Sequence, residues 1–189
     1  MTHDHEKTSN VLISTFTQSD IAITPAKLKQ FDCGDTFLNS SARKLQKTAK
    51  EHQLKVYVAT LDDNLVGYCT TRVGQLMRDD FAGGSYTGMP RLIPVLLLEQ
   101  IATDIRYQKQ GIGSDLLVEA VFHSALKVSM HAGLQGVALW SHPRAVAFYR
   151  SLGFITLPTT QSISDGDQAI ELSLMYLDID TIIASLGDG

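Results

Sequence analysis

The stretch from residue 95 to residue 140 constrains the fold more than any other part of the sequence. Residues 95–103 are nearly all apolar, as in a strand that is buried on both faces of a sheet. A polar turn that contains glycine follows at 104–112, and residues 113–130 then carry apolar side chains at helical spacing. Residues 134–140 form a second apolar run of strand length. Strand, long helix and strand in this order predict a βαβ unit with two parallel strands.

The rest of the chain alternates between strand patterns and helix patterns. Residues 36–50 carry an apolar stripe at helical spacing that includes Phe37. Residues 54–61 and 65–73 have the pattern of two strands joined by a turn, which predicts a hairpin. We therefore expect an α/β fold with a mixed sheet and helices on its faces. The other predicted elements are strands at 11–23, 154–157 and 170–177, helices at 26–31 and 143–153, and a long loop at 75–93.

Length and composition are those of a globular protein. The 189 residues are enough for one domain with a full core, which we expect at residues 11–189 after a flexible N-terminus at 1–10. No window holds 18 consecutive apolar residues, so no membrane span is expected, and the polar start lacks the order of a signal peptide. Cys33 and Cys69 are too few for a disulfide framework. These features predict a cytoplasmic location.

The turn between the first buried strand and the long helix is a candidate phosphate site. A helix start leaves about four backbone N–H groups without partners, and these groups favour an anion. Gly111 and Gly113 lack a Cβ and let a phosphate approach the backbone, and Lys109 adds a positive charge. The spacing fits neither the P-loop pattern nor the dinucleotide-binding pattern. From spacing alone, a plain turn with glycines for tightness remains an alternative.

Two motifs together resemble those of the GNAT acetyltransferase superfamily. Residues 108–113, with the pattern Gln-x-x-Gly-x-Gly, are similar to its acetyl-CoA signature. Residues 141–154, which include Phe-Tyr-x-x-x-Gly-Phe, are similar to its last core motif. One helix and one strand separate the two motifs, as the superfamily requires. The resemblance implies a GNAT fold with splayed parallel strands near 101–103 and 139–141, and an enzyme that transfers the acetyl group of acetyl-CoA to an amine.

The resemblance also assigns roles to single residues. The pantetheine arm is expected between the splayed strands, where a backbone N–H polarises the thioester carbonyl. Tyr149 is expected to act as general acid toward the leaving thiolate, because a phenol with a pKa of about 10 is protonated at neutral pH. Its helical spacing with Ala145 and Leu152 equally fits a tyrosine packed in the core. No metal ligands are expected, and the expected acetyl-CoA contacts are Ile101, Ala102, Thr103, Gln108, Lys109, Gln110, Gly111, Ile112, Gly113, Ser114 and Ser141.

A closer resemblance covers residues 28–154. Residues 31–35 (Phe-Asp-Cys-Gly-Asp), 67–68 and 94–98 are similar to segments of the GNAT toxins of bacterial toxin–antitoxin pairs. Those toxins acetylate the α-amino group of aminoacyl-tRNA, and their partners are small ribbon-helix-helix antitoxins. The resemblance implies the same acceptor and the same kind of partner here, and a homodimer is also expected. Residues 99–100 are Glu-Gln, where the toxins tend to have Gly-Arg.

The charge distribution leaves the acceptor open. A net charge of −4 and a pI of about 5.8 do not suit RNA binding by the surface as a whole. Between residues 43 and 55, however, five cations accompany one acid. Arg43, Lys44, Lys47 and Lys50 are therefore candidate RNA contacts, and an ordinary solvated helix face is the alternative. Acetylation of a small amine or a protein amino group, and a non-catalytic module that binds coenzyme A, also stay open.

Overall fold

The computed structural model shows a mixed α/β fold built on a seven-stranded sheet. It describes residues 11–16, 23–51, 53–81, 88, 90–165 and 168–187, so the predicted flexible segment at 1–10 lies outside the described residues. The strands are β1 (Leu12–Thr15), β2 (Lys55–Leu61), β3 (Asn64–Met77), β4 (Leu92–Thr103), β5 (Gly136–Ser141), β6 (Ile155–Asp165) and β7 (Gln168–Asp178).

Seven α-helices are described, together with short 3₁₀ turns and one π-helical segment. The 3₁₀ turns lie at Arg78–Phe81, Ile105–Tyr107 and Pro143–Ala145, and the π-helical segment lies at Leu116–Phe122. No helix within the described ranges is both long enough and apolar enough to cross a membrane. The helices are α1 (Pro25–Gln30), α2 (Thr36–Ala42), α3 (Leu45–Glu51), α4 (Ile112–Asp115), α5 (His123–Ser129), α6 (Val146–Ser151) and α7 (Ile179–Gly187).

The sheet has the strand order β1-β2-β3-β4-β5-β7-β6. β4 and β5 are parallel and pair Val95–Leu98 with Gly136–Leu139, so the βαβ prediction is confirmed. The pairings of β1 with β2, of β5 with β7 and of β6 with β7 are antiparallel. β5 continues to Ser141 in register with β7, so the parallel ladder ends before the strand does.

The chain is described as two compact units. The first contains Met1–Thr70 and Gln100–Ala120, and the second contains Thr71–Glu99 and Val121–Gly189. Helices α1 to α3 belong to the first unit, where Thr24 caps α1 by accepting a hydrogen bond from Lys27 N and Pro25 occupies the first helical position. The core of this unit includes Leu28, Phe31, Ala42, Leu45, Val56, Val58, Leu65 and Tyr68.

The second unit has its own apolar core between β4, β5 and β7. The rings of Phe81 and Tyr176 meet edge to face, with 4.9 Å between their centroids. The Tyr176 hydroxyl is buried and donates to the Gln135 carbonyl at 2.8 Å, so its polar end is satisfied. The core of this unit includes Leu76, Phe81, Ile93, Val95, Ala138, Leu157, Leu174 and Tyr176.

The predicted helix at 36–50 is interrupted. α2 ends at Ala42 and α3 begins at Leu45, because Lys44 N bonds to Ser41 O in a tight i→i−3 turn before the helix resumes. The assignment of Phe37 to the buried stripe was wrong, since its side chain is 67% exposed. Phe37 lies five residues before the buried Ala42, which places it about 140° away around the helix.

Several predicted boundaries also differ from the structure. β3 runs to Met77 and β4 begins at Leu92, so the predicted loop at 75–93 is shorter at both ends, and its residues 82–87 and 89 lie outside the described part. β6 and β7 are longer than predicted because they form a long antiparallel pair with each other, and β7 also pairs with β5. Of the predicted strand at 11–23, Leu12–Thr15 forms β1, and residues 17–22 lie outside the described part of the chain. Helix α7 was not predicted.

Gly136 lies where β5 passes closest to β7. A Cβ at this position would meet the Leu177 carbonyl oxygen and lie 2.7 Å from Cε2 of Tyr176. β5 is paired on both sides, so neither neighbour can withdraw without loss of ladder hydrogen bonds. We expect Gly136→Ala to lower the free energy of unfolding by about 1–3 kcal/mol, as measured by thermal or urea unfolding.

Gly133→Ala is the matched control for this prediction. A Cβ on Gly133 would meet nothing within 4 Å. Equal stability of the Gly136→Ala and Gly133→Ala proteins would contradict the close approach.

Candidate functional site

The phosphate turn, residues 104–111, joins β4 to α4 in the first unit. Its backbone is left-handed at two positions, Lys109 with φ of 63° and Gly111 with φ of 89°. Gly111 is the N-cap of α4 and has no side chain that could accept a cap hydrogen bond. A Cβ on Gly111 would meet nothing within 4 Å, which shows that the space in front of this residue is open. This geometry fits an anion held by backbone N–H groups.

Two glutamine side chains hold the phosphate turn in this shape. The Gln108 amide donates to the carbonyl oxygens of Cys33 at 3.1 Å and Thr103 at 3.0 Å. The Gln110 amide donates to the Arg106 carbonyl at 3.1 Å. Both NH₂ groups therefore bind backbone carbonyls of the protein.

The structure brings most of the predicted acetyl-CoA contacts together in the first unit. Ala102 and Ile112 are buried, while Lys109 and Gly111 are exposed. Ser141 lies in the second unit, where it is buried and its hydroxyl donates to the His142 carbonyl at 3.0 Å. The contacts in the first unit are Ile101, Ala102, Thr103, Gln108, Lys109, Gln110, Gly111, Ile112, Gly113 and Ser114.

Asp104 is a residue of the phosphate turn that sequence reasoning missed. Its side chain is 0% exposed, and its two carboxylate oxygens accept from the Arg106 guanidinium at 2.8 and 2.9 Å. Burial alone would raise the pKa of this carboxyl, but hydrogen bonds from the side chain and backbone of Arg106 and from Asp32 N hold the pKa below its usual value. The sequence signal that could have identified this residue is an Asp directly after an apolar strand, followed two residues later by Arg.

Tyr149 lies near the end of α6 in the second unit. Its side chain is 7% exposed, and its ring packs edge to face on Phe154 with 5.6 Å between centroids. The Tyr149 carbonyl accepts from Leu152 N at 3.0 Å and from Phe154 N at 3.1 Å, and Gly153 between them has φ of 91°. This left-handed glycine ends the helix, as predicted. The packing fixes the ring, and the catalytic role of the hydroxyl stays a prediction.

The basic corner consists of Arg43 and Lys44, which lie between α2 and α3, and of Lys47 and Lys50, which lie on α3. All four side chains are exposed. Lys47 forms an i,i+4 ion pair with Glu51 at 3.6 Å, which is solvent-exposed and therefore weak. Among the residues that the structure describes, no acid lies within ion-pair distance of the other three. The break after Ala42 places Arg43 and Lys44 in the turn itself.

Comparison with protein families identifies the class. A model of the acetyltransferase (GNAT) domain matches residues 52–156, which is more than half of the chain. The matched segment runs from the residues before β2 to the start of β6 and includes both the phosphate turn and Tyr149. The chain belongs to the GNAT acetyltransferase family.

The relatives of the chain within this family include toxins. It is 30% identical over 106 residues to a tRNA-acetylating toxin of Mycobacterium tuberculosis (strain ATCC 25618 / H37Rv). This match covers 56% of the chain and 63% of the toxin, so it spans less than two thirds of that relative. The predicted resemblance to GNAT toxins is confirmed at the level of homology.

Solved structures show the same fold over nearly the whole chain. The crystal structure of a bacterial toxin has a TM-score of 0.80 and 27% identity, with 95% of this chain and 97% of that chain covered. AtaT complexed with acetyl-methionyl-tRNAfMet has a TM-score of 0.75 and 23% identity, with coverage of 94% and 99%. AtaTR has also been solved with AcCoA, at a TM-score of 0.70, 22% identity and coverage of 94% and 98%. The GNAT fold is therefore confirmed.

Proposed function

We propose that the chain is an acetyl-CoA-dependent N-acetyltransferase that acetylates the α-amino group of aminoacyl-tRNA. The observation that carries the proposal is the phosphate turn, in which left-handed Gly111 opens a helix start without a side-chain cap, in a GNAT family chain. The acceptor is proposed from similarity to the tRNA-acetylating toxin.

The residues of the turn fit the diphosphate of acetyl-CoA. Backbone N–H groups at the start of α4 and the exposed Lys109 side chain bind the two phosphates, because both carry positive charge toward an open space. Residues Ile101, Ala102 and Thr103 of β4 present backbone groups to the pantetheine arm. Acetyl-CoA supplies an acetyl thioester.

The chemistry at the amine needs little from the protein. An α-amino group has a pKa of about 8, so a useful fraction is neutral at physiological pH and can form the new N–C bond. As the C–S bond breaks, the Tyr149 hydroxyl donates a proton to the sulfur and later recovers one that the amine has lost. A lysine side chain, with a pKa of about 10.4, would need a dedicated base.

A second candidate acceptor is a small amine or a protein amino group. The observation that favours it is the net charge of −4, which opposes binding of RNA outside the basic corner. The two candidates differ in whether the acceptor must carry a polyanion.

One experiment tests the proposal. The purified chain is incubated with acetyl-CoA and either charged tRNA, deacylated tRNA, a set of small amines or a peptide, and the products are identified by mass spectrometry. Acetylation of the amino acid on charged tRNA alone is the expected result. If small amines or peptides are acetylated and charged tRNA is not, the proposed acceptor is wrong. If no amine is acetylated, the proposed enzymatic activity is wrong.

The partners and the location follow from the same proposal. A tyrosine-to-phenylalanine mutant of the AtaT toxin has been solved bound to the C-terminus of the antitoxin AtaR, at 21% identity and a TM-score of 0.70 to this chain, with coverage of 95% and 99%. We propose a small ribbon-helix-helix antitoxin as a partner, a homodimer, and the cytoplasm as the compartment, because charged tRNA is used there. Co-purification with a co-expressed antitoxin, with light scattering of both forms, checks these expectations.

The basic corner gives a prediction for the acceptor. Arg43→Glu combined with Lys44→Glu should weaken binding of every tRNA and flatten its salt dependence, because each lost phosphate contact removes counterion release. Affinity for acetyl-CoA should not change. Filter binding or fluorescence anisotropy between about 50 and 200 mM salt measures the slope.

Lys27→Glu combined with Lys29→Glu is the matched control, because it reverses two charges on α1 of the same unit. Equal losses in the two double variants would show only a general charge effect. Salt-insensitive binding by the unchanged chain would favour the small-amine alternative.

A further inference from the structure

Asp104 joins the phosphate turn to a distant part of the chain. We propose that this carboxylate is a positioning residue for recognition of the acetyl-CoA diphosphate. It holds the phosphate turn in its anion-binding shape by bonding the turn to residues 31–35, which we call the 31–35 loop. The inference rests on the proposed use of acetyl-CoA and adds a residue outside the predicted contacts. Asp104 does not touch the ligand, and its effect passes through the backbone that it fixes.

The first step is the set of bonds from Asp104 into the turn. Oδ1 accepts from Arg106 N at 3.0 Å and from Arg106 Nε at 2.8 Å, and Oδ2 accepts from Arg106 Nη2 at 2.9 Å. The Asp104 carbonyl accepts from Tyr107 N at 2.8 Å. The turn is therefore bonded to Asp104 through both its side chain and its backbone before the chain reaches Gln108.

The second step is the set of bonds across to the 31–35 loop. Asp104 Oδ2 accepts from Asp32 N at 3.2 Å, and Ile105 N donates to Asp32 O at 2.8 Å. Gln108 Nε2 donates to Cys33 O at 3.1 Å. Three bonds from three successive parts of the turn thus reach two adjacent residues of the loop, although the loop is more than 70 residues away in sequence.

The third step is the rigidity of the loop itself. Asp32 Oδ1 accepts from Gly34 N at 2.9 Å and from Asn39 Nδ2 at 2.7 Å, and these two bonds lower the pKa of this carboxyl. Asn39 Oδ1 accepts from Cys33 N at 2.8 Å. Asn39 belongs to α2, so the loop is fastened to a helix and provides a fixed support for the turn.

The charge on Asp104 matters because its site is fully buried. An asparagine would have one acceptor oxygen in place of two, and in either orientation its NH₂ group would face the guanidinium of Arg106, together with either Arg106 N or Asp32 N. A buried donor that faces another donor is left without a partner. The turn would then lose its fixed shape. Diphosphate binding would have to order its N–H groups, and this would reduce the affinity for the diphosphate.

The test compares ligands with and without the diphosphate. Calorimetry with coenzyme A and with pantetheine, and kcat/KM with acetyl-CoA and with acetyl-pantetheine, are measured for the unchanged chain and for Asp104→Asn. We expect at least a tenfold loss for coenzyme A and acetyl-CoA, and less than a twofold change for the pantetheine ligands. A purely structural defect would lower both pairs alike.

Tyr68→Phe is the matched control, because it removes another buried hydrogen bond of the first unit, from Tyr68 Oη to Leu38 O at 2.9 Å. It should reduce stability without selectivity between coenzyme A and pantetheine. If Asp104→Asn does not fold, Arg106→Gln removes the guanidinium from the same carboxylate and should give the same selective loss.

Two results would overturn the inference. A folded variant with unchanged affinity for coenzyme A would remove Asp104 from diphosphate recognition, and equal losses for both kinds of ligand would make its role structural only. Failure of the unchanged chain to bind coenzyme A would overturn the proposed function together with this inference. If coenzyme A binds but no amine is acetylated, the proposed enzymatic activity is wrong. The calorimetric comparison of coenzyme A with pantetheine then decides the role of Asp104.

Discussion

Tyr149→Phe is expected to lower kcat by about 10²- to 10⁴-fold, the usual range for general acid catalysis. The substitution removes only the hydroxyl and keeps the ring that packs against Phe154. The KM for acetyl-CoA should change little, because protonation of the thiolate stabilises the transition state and not the bound ground state. Steady-state kinetics with the acceptor identified by mass spectrometry measures both quantities.

Tyr176→Phe is the matched control, since it also removes a buried hydroxyl from the second unit, one that donates to Gln135 O at 2.8 Å. It should lower the free energy of unfolding by about 1 kcal/mol and leave kcat nearly intact. Thermal unfolding with and without acetyl-CoA shows that both variants fold and bind. A folded Tyr149→Phe protein that keeps more than about half of its kcat would show that this tyrosine is a packing residue, the alternative that its spacing also allowed.

Gly111→Asp is expected to reduce affinity for acetyl-CoA at least tenfold, which corresponds to about 1.4 kcal/mol. The substitution places a side chain and a negative charge in the open space before α4, where the diphosphate is proposed to bind. The backbone at Gly111 has φ of 89°, so every other residue there is strained. Calorimetry measures the change.

Gly111→Asn separates charge from strain. Asn and Asp have nearly the same shape, and both tolerate left-handed backbone better than other residues do. Affinity for acetyl-CoA should therefore fall further in the Asp protein than in the Asn protein. Equal affinity in the two folded variants would exclude a charge effect, and unchanged affinity in both would put the diphosphate elsewhere.

The sequence predicted the parts of the fold that have a strong local signal. Residues 95–103 and 134–140 are apolar enough to identify buried strands, and the long helix between them requires a parallel connection. The break after Ala42 has no such signal, since neither Gly nor Pro marks it and it depends on an i→i−3 hydrogen bond at Lys44. Helix α7 has only nine residues and follows β7 directly, with no residue between the two elements.

The candidate site shows the same division. The glycines and the uncapped helix start could be predicted because they are local to the turn. Asp104 could not, because a charged residue in a polar turn is exposed in most proteins, and its hydrogen-bond partner Asp32 lies 72 residues away in sequence. Long-range partners of this kind become visible only when the chain is folded.

If charged tRNA is the acceptor, as proposed above, the cations at the corner between α2 and α3 determine the direction from which it approaches. The chain carries a net charge of −4, so a polyanion is repelled by the protein as a whole and attracted near Arg43 and Lys44. Charges more than about 8 Å apart are largely screened at physiological ionic strength, so this attraction acts only at close range. In the proposed complex, encounters in other orientations end without capture, and in those that persist the same side of the protein faces the RNA. Such a surface selects orientation more than it increases affinity.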